Sequence, residues 1–169
     1  ERSTSRMSLS YNPGDYSPMF QGFLKGISSG DWPSKPKGIA KLGIMPEDWL
    51  KEIEPGRVHY VWPNDGSHDV QPGRAFGGWV GALSDHVVSI CMFSALTDGE
   101  AFTTQDLQIK LFRPVGHGDI IIDAHVVNRS KSTGYIEAEW RNSDGKLLVK
   151  VLAWKAIRTV EAIHGRGPA

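Results

Sequence analysis

Between residues 79 and 96 the chain is largely apolar, and a single carboxylate, Asp85, stands inside that run. Placed on a helix, Asp85 shares its face with Gly78, Gly81, Ala82, Val88 and Ser89, while Val80, Leu83, Val87 and Ile90 fill the opposite side. Small residues on one helix face let another helix or a ligand approach the backbone. An acid that loses water there holds its proton more tightly unless donors compensate, and such acids are often functional. The bland reading, an aspartate hydrogen-bonded within a packed interface, stands equally on composition. Just upstream, residues 73–78 read Gly-Arg-Ala-Phe-Gly-Gly at the point where the helix must begin. Free N–H groups at a helix start can bind an anion or a developing oxyanion, although a Gly-Gly pair is as often only a tight turn.

The elements that must position these groups follow from pattern. Ser17-Pro18 is an N-cap and first helical position, with Met19, Phe20, Phe23, Leu24 and Ile27 at helical spacing and Gly30 closing the segment. Residues 31–37 form a Pro-rich connector, and residues 36–44 allow one or two helical turns. Residues 57–62 alternate as a strand, 63–73 form a loop, and 77–97 form one long helix ended by Asp98-Gly99. Strands follow. Leu107, Ile109 and Leu111 alternate with polar neighbours, 119–129 is the next strand, and Ile136, Ala138 and Trp140 alternate with Glu137, Glu139 and Arg141. Asn142-Ser143-Asp144-Gly145 is a hairpin turn, and residues 147–157 are apolar on both faces, as in a central or interface strand. The pattern predicts an α+β architecture: a helical extension over residues 1–56, a domain over 57–158 with one buried helix wrapped by a curved antiparallel sheet, and a tail over 159–169.

Composition excludes several classes. The 169 residues carry 19 basic and 19 acidic side chains with no block of one sign, so no footprint for nucleic acid or an anionic membrane exists. The lone Cys91 rules out a disulfide framework and predicts a reducing, cytoplasmic setting. No secretory signal is visible, and the run at 79–96 contains Ser84, Asp85, His86 and Ser89, which predicts a buried core helix in a soluble protein. The six histidines show no metal-ligand spacing, and no nucleophile elbow, P-loop or dinucleotide fingerprint occurs. No metal or cofactor is expected. Cys91 reads as a small buried hydrophobe, and His86, turned about 100° from Asp85, as a packed or bonded histidine.

The ordered set resembles the hotdog-fold thioesterases of the phenylacetate-degradation type. That family opens its long helix with His-Gly-Gly and carries an acid nine residues after the His; here the stretch is Phe76-Gly77-Gly78 and then Asp85. Thr104-Gln105-Asp106-Leu107, Arg113-Pro114, Gly118-Asp119 and the hairpin over 137–145 fall in the family's order, and the likeness spans residues 57–157. It implies a hotdog fold with an N-terminal helical extension and hydrolysis of an acyl-CoA thioester. Asp85 would be general base or nucleophile, the Gly77 N–H the oxyanion donor, and Thr104 a residue that places Asp85 or the attacking water. Gly78 would lie beside the substrate, with Arg113, Arg129 and Lys131 at the nucleotide and pantetheine end of coenzyme A.

Two positions depart from the pattern: Phe76 replaces the family's His, and Val70 the Asn that often precedes it by six residues. Both put apolar groups where relatives handle the thioester carbonyl, so a non-catalytic acyl-binding or interaction protein is the alternative. An acyl dehydratase ranks last, because the matching helix lacks the paired His. Gly77 and Asp85 stand eight residues, about 12 Å, apart on one helix, too far to serve one carbonyl. Two antiparallel copies bring Gly77 of one near Asp85 of the other, which predicts a homodimer, or a dimer of dimers, with shared sites. Trp79, Met92 and the N-terminal segment are expected to set pocket width.

Overall fold

The computed structural model describes residues 9–30, 32 and 34–165, with the side chain of His164 outside the description. The polar start over residues 1–8 and the end of the C-terminal tail therefore lie outside it. After a short 3-10 turn at Pro13–Asp15 come α1 (Pro18–Ser29), α2 (Lys37–Lys41) and α3 (Pro46–Trp49). The chain continues through β1 (Leu50–Glu54), β2 (Arg57–Asn64), β3 (Asp69–Gln71), β4 (Arg74–Ala75), α4 (Gly77–Ser94), β5 (Glu100–Leu111), β6 (Gly118–Arg129), β7 (Thr133–Arg141), β8 (Leu147–Thr159) and α5 (Val160–His164).

Six strands form one antiparallel sheet in the order β1-β2-β6-β7-β8-β5, and α4 packs against its concave side. Along β7 burial alternates residue by residue, with Ile136, Ala138 and Trp140 facing α4. The bulky side of α4 closes that core: Val80, Leu83 and Val87 are fully buried. The small-residue side, with Gly81, Ala82, Asp85 and Ser89, remains partly open. Cys91 is buried, as its surroundings predict, and burial pushes its thiol up to about 12.

The N-terminal segment is helical where Ser17 caps α1, accepting from the Phe20 N–H. Its apolar stripe, Phe20, Phe23, Leu24 and Ile27, is buried, and the Phe20 ring meets Phe93 of α4 edge-on at 4.8 Å. The sheet begins earlier than the pattern suggests, because Leu50–Glu54 pairs with β2 around a Pro55-Gly56 turn in which Gly56 has φ 77°. A bulge between Leu50 and Glu52 breaks the alternation, and three of the five residues are charged, as suits an edge strand. Residues 63–73 are also not wholly loop: Asp69–Gln71 and Arg74–Ala75 make a two-stranded ribbon at the head of α4. The long helix ends at Ser94 rather than 97, and the tail from 159 opens with α5, capped by Thr159.

Candidate active site

Asp85 lies midway along α4 with its side chain 49% exposed, so the expected loss of water is only partial within one chain. Its Oδ1 accepts from Lys155 Nζ at 3.3 Å and from the Thr104 hydroxyl at 3.4 Å. No donor within the described residues reaches Oδ2. One oxygen is anchored, and the other is left for water or substrate.

Lys155 had no place in the sequence reading, yet it organises the cluster. Its side chain is fully buried, and its ammonium donates to Asp85 Oδ1, to Ser89 Oγ at 2.9 Å and to Thr104 Oγ1 at 2.7 Å. Three N–H donors meet three acceptors, which satisfies a buried charge. The Phe102 ring adds a cation–π contact at 5.3 Å. Burial pulls the ammonium below the usual lysine range, and the Asp85 carboxylate opposes that shift. The signal was present in the register: Val149, Val151, Ala153, Lys155 and Ile157 share the inward face of β8, so a lysine there must end inside. Thr104 is its cross-strand partner, beside a bulge between Thr104 and Asp106 that interrupts β5.

Gly77 occupies the first position of α4, after Phe76 in an extended conformation (φ −60°, ψ 128°) that offers no side-chain cap. The first-turn N–H groups have no partner within the helix. A shallow cleft of about 450 Å³ opens there, bordered by Val70, Gly77, Arg113 and Pro114. Phe76 and Val70 are 56% and 62% exposed, and the Phe76 ring lies over Gly78, where a Cβ would come within 2.5 Å of it. A side chain at position 78 would make the exposed Phe76 ring swing aside.

Asp85 opens instead onto a separate cavity of about 770 Å³ between α4 and the N-terminal helices. One chain therefore brings Asp85, Thr104 and Lys155 together, and Gly77, Val70 and Arg113 together, but not the two groups with each other. Arg113 donates to the Leu147 carbonyl at 2.7 Å. Arg129 caps the far end of α4 through the Ala95 carbonyl and pairs with Glu100, while Lys131 is exposed in the β6–β7 turn. Trp79 and Met92, expected to set pocket width, are core residues at 4% and 0% exposure. Trp79 is held by the stacked His68 ring at 3.7 Å, and Met92 sits against Gly134, where any Cβ would clash.

His86 points away from Asp85 and is bonded, with the Tyr60 hydroxyl 3.1 Å from its Nε2. Burial pushes His86 down to about 3, so it is neutral, and the same burial raises Tyr60. Among the described residues no group of three or more His, Cys, Asp or Glu side chains could hold a metal, and no helix is long and apolar enough to cross a membrane.

A long helix against one curved six-stranded antiparallel sheet is the hotdog fold. A thioesterase superfamily model matches residues 72–149 of the chain. A thioesterase from Haemophilus influenzae superposes with a TM-score of 0.67 at 18% identity, over 78% of this chain and 90% of that one. A phenylacetic acid degradation-related protein from Ralstonia eutropha JMP134 superposes at 0.59 with 22% identity, over 72% and 89%. A hypothetical thioesterase protein from Streptococcus pneumoniae TIGR4, solved with coenzyme A, gives 0.59 with 17% identity, over 65% and 84%. At these identities the likeness establishes the fold. No curated protein matches the sequence.

Proposed function

We propose that the protein hydrolyses an acyl-CoA thioester with water activated at Asp85. The observation that carries this reading is a carboxylate fixed through one oxygen by Lys155 and Thr104, with the other free at the edge of an apolar cavity. Asp85 takes a proton from water as the water oxygen attacks the thioester carbon. The carbonyl electrons move to oxygen, and the Gly77 N–H of a second copy donates to that oxyanion. Collapse breaks the C–S bond, and the thiolate leaves with the proton that Asp85 held, giving a carboxylic acid and free coenzyme A.

The second copy is part of the proposal. β5 is a 12-residue edge strand, with Leu111 exposed at its end and Phe112 exposed just beyond it. An open edge of that length invites a partner, and a two-fold axis across it sets two α4 helices antiparallel. The tail of one helix, with Arg129 and Lys131, then lies toward the head of the other, with Gly77 and Arg113. Lys131 is exposed and available to a coenzyme A phosphate, whereas Arg129 would have to share itself with Glu100. The Streptococcus pneumoniae protein solved with coenzyme A supports that ligand class. Light scattering should give at least twice the 18.6 kDa chain mass; a monomer at micromolar concentration would remove the shared site.

The exposed, apolar Phe76 and Val70 favour a second reading, an acyl-CoA-binding protein without turnover. A panel of acyl-CoAs assayed with the parent and with Asp85→Asn separates the two. Hydrolysis by the parent that the variant loses supports the enzyme, and binding by both with turnover by neither supports the binder.

A further inference from the structure

The cavity beside Asp85 has a wall that the hotdog core does not supply. On one side stand Ala82, Ile90 and Phe93 of α4; on the other stand Met19 and Phe23 of α1 and Ile39 of α2. Its volume of about 770 Å³ is far larger than an acetyl group needs and falls within the roughly 300–1,000 Å³ range of small-molecule sites. Among the described residues lining it, Asp85 is the sole charged side chain; Lys155 is fully buried behind the carboxylate, and His86 is neutral and bonded to Tyr60. Met19 and Leu42 at its edge are 50% and 44% exposed, so apolar surface is left uncovered there.

Two glycines show that the space belongs to the design of the wall. Gly22 in α1 and Gly38 in α2 both line the cavity, and a Cβ at either would meet nothing within 4 Å. Neither has positive φ. Glycine inside a helix destabilises it relative to alanine, so local folding does not call for it at these positions. One turn after Gly22 the situation differs: a Cβ on Gly26 would sit 2.7 Å from the Trp32 ring, so that glycine is required by packing. Gly22 and Gly38 leave room that no protein atom uses.

We infer that this cavity is the acyl pocket, that it takes an uncharged medium- to long-chain acyl group, and that α1 and α2 form its specificity wall. The inference rests on the thioester reading of Asp85 and names the substrate class for it. An acyl group ending in a carboxylate finds no cation among the described lining residues and meets the Asp85 charge, so dicarboxylic acyl groups are disfavoured. A short acyl group leaves most of the wall uncovered.

The test uses the assembled full-length protein with acetyl-, butanoyl-, octanoyl-, dodecanoyl- and succinyl-CoA, and the variants Gly22→Ala and Gly22→Phe. In the parent, kcat/KM should rise about two- to fourfold per methylene until the pocket fills, and succinyl-CoA should fall well below butanoyl-CoA. Gly22→Ala should fold at least as well as the parent and keep the ranking. Gly22→Phe should lower kcat/KM for dodecanoyl-CoA by at least about tenfold while acetyl-CoA changes little. A flat chain-length profile, an equal effect of Gly22→Phe on every substrate, or loss of the oligomer in Gly22→Phe would overturn the inference; the last would make the cavity a subunit contact. Should the parent hydrolyse none of the panel, the catalytic reading fails, and calorimetric Kd values decide the pocket separately. Tighter binding with chain length, lost in Gly22→Phe, supports it, and equal Kd values overturn it.

Discussion

At the head of α4 the proposed chemistry rests on a backbone N–H, whereas roughly two turns further on it rests on a carboxylate held by a buried ammonium. The head should tolerate side-chain change: Phe76 and Val70 are exposed there, and the Gly77 N–H is set by helix geometry alone. The middle tolerates little, because Asp85, Thr104, Ser89 and Lys155 share one set of hydrogen bonds drawn from α4, β5 and β8. Two ways of placing a polar atom are thus joined on one helix, one indifferent to side-chain identity and one dependent on four side chains at once.

The largest effect should come from the middle. Asp85→Asn keeps the shape and a carbonyl acceptor for Lys155 but removes the base, and kcat should fall by about 10²–10⁴ with assembly unchanged. The head can be tested at Gly77 itself, since Gly77→Pro replaces the N–H with a ring carbon. Proline is favoured at a first helical position, Phe76 already has the extended conformation that a residue before proline needs, and a Cβ at Gly77 meets nothing within 4 Å. Activity should drop by about 10²-fold or more with the melting temperature preserved, while Gly77→Ala, which keeps the donor, should retain activity. Equal activity in both variants would move the oxyanion donor elsewhere.

Lys155→Met sharpens the contrast on the other side. Methionine fills the buried volume without the charge, and Asp85, half exposed, keeps water as a partner, so stability should change little. The freed carboxylate should lose its fixed pose, lowering kcat by roughly 10- to 100-fold with KM nearly constant. A rise in KM at constant kcat would make Lys155 a binding group instead.

The smallest effect concerns the core behind the site. His86 is held down at about 3, so between there and about 6.5 the unfolded chain binds a proton that the folded chain refuses. Stability must then fall as pH drops through that window, approaching about 1.4 kcal/mol per pH unit well below 6.5. The paired carboxylates Glu100, Glu137 and Glu139, whose ion pairs with Arg129, Lys150 and Arg141 accompany lowered values, add to the loss only as their unfolded forms protonate, below about 4.5. Urea unfolding at pH 7.5, 6 and 5, with His86→Phe as the comparison, measures the histidine contribution: the variant should lose most of that slope.

Periodicity made the long helix and the later strands legible, because each buries one face and the run from Ile136 to Trp140 alternates without interruption. It failed at Leu50–Glu54, where a bulge and three charged residues hid a strand that the Pro55-Gly56 turn could have revealed. Asp85 and Thr104 could be picked out and their contact is present, but Lys155 was absorbed into an apolar strand because composition was read over its length and not by register. Trp79 and Met92 were expected to set pocket width, whereas packing against His68 and Gly134 puts both in the core. The N-terminal segment was expected to bear on pocket width, but its docking could not be read, since the contact of α1 with Phe93 joins residues far apart in sequence.

Lys155 also has a consequence for how the molecule can be watched. Amine-reactive reagents modify lysines that meet solvent, and this one meets none while β5, β8 and α4 stay together. Its first modification therefore dates the moment when the sheet parts from the helix, a built-in clock for opening that every exposed lysine on the surface is too early to keep.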